Sequence, residues 1–226
     1  QQHVLTLPLP QLQGLMLGGV SSDGLSAALE RLDGGPQARL QTEGEDFDPN
    51  QPLGAQLEVS LQASWRRFVS CWTRDGVELE QCFRSTALQW KAMGFKPSPY
   101  SPKPTSDRCG QVDRWIAAQG STPDLCSIRA QQKLLHDYFH PGVWCRTARK
   151  CGEEEPSLAA PELQRAIADL WDGPIERVWR YALQRGLQQL QRRRQRSGTV
   201  SFAGLLTAMD PGDAEASWLE PLQQRY

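Results

Sequence analysis

Four constellations in this sequence hold residue types that can do chemistry. His136 and His140 stand four apart and are followed by Cys145 and Cys151. On a helix the two imidazoles would share a face, and four such ligands can hold Zn²⁺. His140 directly precedes Pro141, however, which places it outside a helix, and the Cys-x5-Cys spacing is loose. A polar helix end followed by a loop is the expected arrangement. Glu153-Glu154-Glu155 offers carboxylates to a divalent metal, but three consecutive side chains point in different directions, so a solvated acidic loop is expected. A Cys–His nucleophile pair has no local signature here. The fourth constellation, Arg192-Arg193-Arg194-Gln195-Arg196, is the strongest: a planar guanidinium suits phosphate oxygens and stacks on bases. It also reads as a solvated helix end or as a contact to another domain.

A similar choice attends residues 94–106. Pro97, Pro99, Pro102 and Pro104 predict an extended strap. It carries Tyr100 between Lys96 and Lys103, an aromatic between two cations, as in segments that track a nucleic-acid backbone. No G-x-x-x-x-G-K-[ST] phosphate loop and no Rossmann fingerprint occurs, so the chain has no nucleotide-triphosphate signature of its own.

The elements that must position these groups are helical. Leu57, Leu61, Trp65, Phe68 and Trp72 recur at steps of four, four, three and four and form one helical stripe. Arg66, Arg67 and Arg74 fall off that stripe and face outward. Asp75-Gly76 is expected to break the run, with Val77 to Trp90 returning as the second arm of a hairpin. Pro8 and Pro10 are expected to block regular structure at the start. Ser22 or Asp23 can cap a short helix over 25–32, and residues 41–52 read as an acidic loop. Further helices are predicted from 107 to Ala118 and from Pro123 through Leu125, Ile128, Leu135 and Phe139. Residues 140–157 read as a loop, and a helix runs from Pro161 to Trp171. A long last helix opens at Pro174 and buries Ile175, Val178, Trp179, Ala182, Gly186 and Leu190. Thr199 to Phe202 reads as extended, with short helices after it. The fold class is therefore all-α, irregular, with long Pro/Gly-rich loops.

The chain has 226 residues, 25 Lys plus Arg and 26 Asp plus Glu, a net charge of −1. That length can bury a sizeable core, and eight Trp and six Phe exclude disorder throughout. Near-neutrality conceals segregation: 1–60 is acidic, whereas 61–150 holds 14 bases against 7 acids. A basic face for nucleic acid is compatible with this pattern. The wide, irregular gaps between the six cysteines, without secretory context, predict reduced thiols in a cytosol. No apolar run is long enough for a membrane helix. The start lacks both an initiator Met and a signal-peptide pattern, so the chain reads as a fragment of something longer.

The stretch Arg192 to Tyr226, RRRQRSGTVSFAGLLTAMD…WLEPLQQRY, resembles the segment before the Walker B motif of RecB-type superfamily 1 helicases, the beta subunit of exodeoxyribonuclease V. Gly198, Phe202, Leu205, Leu206, Leu222, Arg225 and Tyr226 carry the likeness. Leu7-Pro8-Leu9-Pro10, Tyr138-Phe139, Pro156-Ser157-Leu158 and Leu163 to Leu170 are also similar to the family. Ala203-Gly204 departs from it, standing where the family has one or two acids.

The resemblance implies a helical accessory subdomain, 1B, spanning 1–226, with an arm-like part over 1–150 and helices leading back to a motor core over 151–226. It implies no catalytic group, cofactor or metal in this chain. ATP, Mg²⁺, helicase and nuclease activity in DNA repair and recombination would belong to a bacterial cytoplasmic parent protein. Its partners would be double-stranded DNA ends or forks and RecC-like and RecD-like subunits. The DNA-contacting candidates are Arg66, Arg67, Lys96, Tyr100, Lys103, Arg192, Arg193, Arg194 and Arg196. The competing expectations are a protein-interaction module that uses the Arg cluster and the acidic 41–48 loop, and an independent zinc-binding protein.

Overall fold

The computed structural model describes residues 9–34, 47, 48, 50–96, 100–119 and 121–198. Among them every regular element is helical and no strand occurs, so the all-α class holds. The helices are α1 (Leu9–Leu17), α2 (Ser22–Gly34), α3 (Leu53–Ala92), α4 (Pro102–Ala118), α5 (Leu125–Arg129), α6 (Gln132–Leu134), α7 (Pro141–Lys150), α8 (Pro161–Trp171) and α9 (Gly173–Ser197). A π-helical turn, Leu135–Phe139, joins α6 to α7. The chain divides into two compact units, one of residues 1–20 and 50–179, the other of 21–49 and 180–226.

The spine of the first unit is α3, a single 40-residue helix that runs straight through Asp75-Gly76. The expected hairpin is absent because the apolar stripe never loses phase. Beyond Trp72 it continues through Gly76, Leu79, Phe83, Ala87 and Trp90, all buried. A helical Gly costs about 1 kcal/mol relative to Ala. Burying one Phe or Leu returns about 1.5–3 kcal/mol, so the Gly loses.

Around α3 the core is aromatic. Trp115 of α4 meets Trp65 edge-on at 5.0 Å, while Asp113 accepts the Trp72 indole N–H at 2.7 Å and Glu80 accepts the Ser106 hydroxyl at 2.5 Å. Rising numbers on α4 meet falling numbers on α3, so the two helices are antiparallel. Farther along, Phe83 stacks on Trp144 of α7 at 4.3 Å, with the rings 7° from parallel.

Several sequence expectations need correction. Pro10 lies in the first turn of α1, and Pro102 and Pro104 lie in the first turn of α4, where a missing N–H costs nothing. The strap is thus helical from Pro102 onward. The cap of α2 is Ser21, whose hydroxyl accepts the Gly24 N–H at 3.1 Å. The segment read as a loop after His140 forms α7. The continuous helix expected after Pro123 is three pieces. Asp124 caps the first by accepting the Ser127 N–H at 2.7 Å, and the π turn brings Leu135, Tyr138 and Phe139 together into the core. The Pro161 helix starts as predicted, and the Pro174 helix begins one residue earlier, at Gly173.

The short helix α1 is held by close approach. A Cβ on Gly14 would stand 2.7 Å from the Leu125 carbonyl carbon and 2.8 Å from the Cys126 nitrogen. Gln11 adds a bond, accepting the Leu125 N–H at 3.1 Å. In the second unit, Leu29 of α2 fills the space over Gly186, and Phe47, Tyr181 and Leu183 are buried.

Candidate nucleic-acid interface

The C-terminal half of α9 carries the densest run of basic residues in the described chain. From Arg177 to Gly198 there are seven arginines and no acid. Arg185, Gln189, Arg192 and Arg196 recur at i, i+4, i+7 and i+11, which sets them on one face. Gln189, Arg192, Arg193, Arg196 and Ser197 line a shallow open concavity. Arg192, Arg193 and Arg196 are exposed and Arg194 is half-buried. The Ser197 hydroxyl donates to the Arg193 carbonyl at 3.0 Å and closes the last turn. Cations at this end of a helix also meet the negative end of its dipole, worth about 0.3–1 kcal/mol each. Chemically, the face offers several guanidinium forks to phosphate oxygens, and this stretch of helix contributes no carboxylate of its own.

The other candidates divide. Arg66 is exposed on α3. Arg67, also exposed, pairs with Glu162 at 3.3 Å, a half-exposed bridge of little energetic consequence. Lys96 is exposed just past the end of α3, and Lys103 is exposed in the first turn of α4. Residues 97–99 between them lie outside the described residues.

Tyr100 is not on the surface. It is fully buried, packs edge-on against Phe83 at 4.7 Å, and donates its hydroxyl to the Tyr138 carbonyl at 2.7 Å. It cannot stack on a base without dismantling the core, so its role is structural. Its neighbour Tyr138, also buried, shares a 2.5 Å hydrogen bond with Thr105.

Burial pushes the Tyr138 phenol up to about 12 and raises Tyr100 further. An unfolded phenol titrates near pH 10. The folded state therefore holds these protons more tightly, and the stabilisation is complete below about pH 10 and lost as pH rises through about 12. Ultraviolet titration should show these two tyrosines ionising only as the chain unfolds. Ionisation of all tyrosines near pH 10 with helical dichroism intact would refute the buried assignment.

The metal-type constellation is occupied by structural roles. His140 caps α7: its Nδ1 accepts the Gly142 N–H at 3.1 Å, and its Nε2 meets Asp172 at 2.8 Å. His136 pairs with Asp137 at 2.8 Å. Among the described residues no three His, Cys, Asp or Glu side chains are grouped to hold a metal. None of the six cysteines forms a disulfide. Glu153 accepts the Trp90 indole N–H at 2.8 Å, while Glu154 and Glu155 are exposed.

Residues 199–226, which carry most of the RecB-like signature, lie outside the described residues, as do Leu7-Pro8 and residues 41–46 of the acidic loop. No helix among the described residues is long and apolar enough to cross a membrane. Comparison with protein-family models, curated proteins and solved structures finds no match.

Proposed function

We propose that this chain is a DNA-contacting accessory subdomain, 1B-like, of an ATP-dependent RecB-type helicase-nuclease acting on double-stranded DNA ends. The observation that carries the reading is the acid-free arginine face of α9, Arg185 to Arg196, of which Arg192, Arg193 and Arg196 are exposed. Its contribution is electrostatic: guanidinium groups hold phosphates without reading sequence, while a motor elsewhere in the parent protein does the work. ATP, Mg²⁺ and the nuclease chemistry belong to that parent, with RecC-like and RecD-like subunits as its partners and a bacterial cytoplasm as its place.

The test is duplex binding by the full chain against salt. Each arginine that meets a phosphate contributes about 0.9 to the slope of log affinity on log salt. Replacing Arg192, Arg193, Arg194 and Arg196 with Ala should lower the slope by about 2–3.5, equally for all sequences. The melting temperature should scarcely move, because most of these side chains are exposed. Unaltered affinity and slope would remove the phosphate role.

A second reading, a protein-docking module, draws on α1. Its Leu9, Met16 and Leu17 are 64%, 67% and 67% exposed and the helix carries no charge. Under that reading DNA affinity is absent at every salt concentration.

A further inference from the structure

We infer that the solvent face of α3 is a second duplex-DNA track, a ridge that follows the phosphate backbone along the length of the helix. The inference rests on the DNA reading above and concerns a different surface. At 100° per residue, Arg66, Ser70, Val77, Arg84 and Leu88 fall within about 20° of the direction of Val59, and Thr73 and Lys91 within about 40°. All of these residues are exposed, and Val59, Val77 and Leu88 reach 66%, 69% and 54%. The acids of α3, Glu58, Asp75, Glu78 and Glu80, lie about 60° or more away from that line.

Charge and texture together select the occupant. An apolar partner helix would need an unbroken apolar seam. Here Arg66, Ser70 and Arg84 interrupt the three apolar residues, so a packed helix would bury cations. A polyanion meets the opposite situation. Arg66 and Lys91 form no ion pair among the described residues, and Arg84 reaches Glu80 at 3.3 Å through one nitrogen while half exposed. Arg74, at the flank, is held bidentate by Asp75, which neutralises it.

Shape selects a duplex over a single strand. The helix is continuous from Leu53 to Ala92 and has no internal proline. A stiff rod about 60 Å long suits a stiff partner such as the double helix, whose persistence length is about 150 bp. Arg66 and Lys91 stand 25 residues apart, about 37 Å of helix. That is close to one duplex turn of about 34–36 Å. A duplex lying along α3 would present its backbone to one end of the ridge and then, a turn later, to the other.

The experiment compares three variants of the full chain with the wild type, binding a blunt mixed-sequence duplex two turns long over a salt series. Arg66→Ala with Lys91→Ala should lower the salt slope by about 1–2. Val77→Glu, which puts an acid at mid-ridge without touching the core, should weaken binding several-fold at low salt, with an unchanged melting curve. Both effects should add to that of the α9 arginine variant. If both α3 variants match the wild type while the α9 variant loses affinity, the ridge is not a track and the broader DNA reading stands. If the wild type itself shows no salt-dependent binding, both readings fall.

Discussion

Replacing Phe83 with Ala should destabilise the first unit by about 3–5 kcal/mol, the range for deleting a fully buried aromatic ring. Phe83 has no exposed surface and sits where α3, α7 and the π turn converge with Tyr100. Its ring stacks on Trp144 of α7 at 4.3 Å, meets Tyr100 edge-on at 4.7 Å, and lies 6.1 Å from both Tyr138 and Phe139 of the π turn. Truncation to Ala removes the burial term and leaves a cavity walled by rigid rings, which cannot collapse into it. It also strips the packing that holds Tyr100 over the Tyr138 carbonyl. Phe83→Leu keeps most of the volume and should cost less, about 1–2 kcal/mol. Chemical denaturation should show the Ala variant with a lower midpoint and an unchanged slope. A loss below about 1 kcal/mol for Phe83→Ala would mean that the ring is not the keystone of this core.

Periodicity explains why α3 could be read and where the reading failed. The stripe from Leu57 to Trp72 identified the helix, and Leu79, Phe83, Ala87 and Trp90 carry the same phase onward. The hairpin expectation weighed Asp75-Gly76 as a breaker, a local preference worth about 1 kcal/mol, against several buried residues each worth more. The prolines misled in the same way. Pro10, Pro102 and Pro104 resemble obstacles in a linear sequence, yet each is tolerated at a helix start. Position within the element decides, and the sequence does not print that position.

The candidate interface shows a similar limit. The α9 arginines lie where their spacing put them, because an exposed helix end needs only local information. Tyr100 did not, because its fate depends on Phe83 and Tyr138, which are 17 and 38 residues distant in sequence. An aromatic between lysines gives no sign of which way it turns. Glu153 is a comparable case: its local context is three consecutive acids, and its actual role is to accept the indole N–H of Trp90. Arg129 is another. It is buried with its guanidinium 4.0 Å over the Trp171 ring and donates to the Trp171 carbonyl, and burial lowers its pKa. The outward direction of Arg66 was available from spacing, but the face from Val59 to Lys91 exists only because α3 runs unbroken through Asp75-Gly76. That face shares its phase with the buried stripe on the opposite side of the same helix.

Asp169→Ala should cost about 3 kcal/mol, the second largest single-residue effect expected here. Asp169 on α8 joins three helices. Its Oδ2 accepts the Ser64 hydroxyl of α3 at 2.5 Å, and its Oδ1 accepts Arg177 of α9 at 2.7 Å. Arg177 in turn donates to the Ser60 hydroxyl at 2.6 Å. Both members of the ion pair are about three-quarters buried, so solvent screens them only partly. Removing the carboxylate leaves the guanidinium with Ser60 as its remaining hydrogen-bond partner among the described residues, and that unpaired charge accounts for most of the cost. Asp169→Asn keeps the shape and an acceptor for one donor, and should fall between the wild type and Ala. Once Arg177 is Ala, the Asp169→Ala change should cost less, with a coupling of about 1–3 kcal/mol in the double-mutant cycle. Additive losses would show that the two side chains stabilise the helices separately, and that the joint between α3, α8 and α9 rests on its apolar contacts instead.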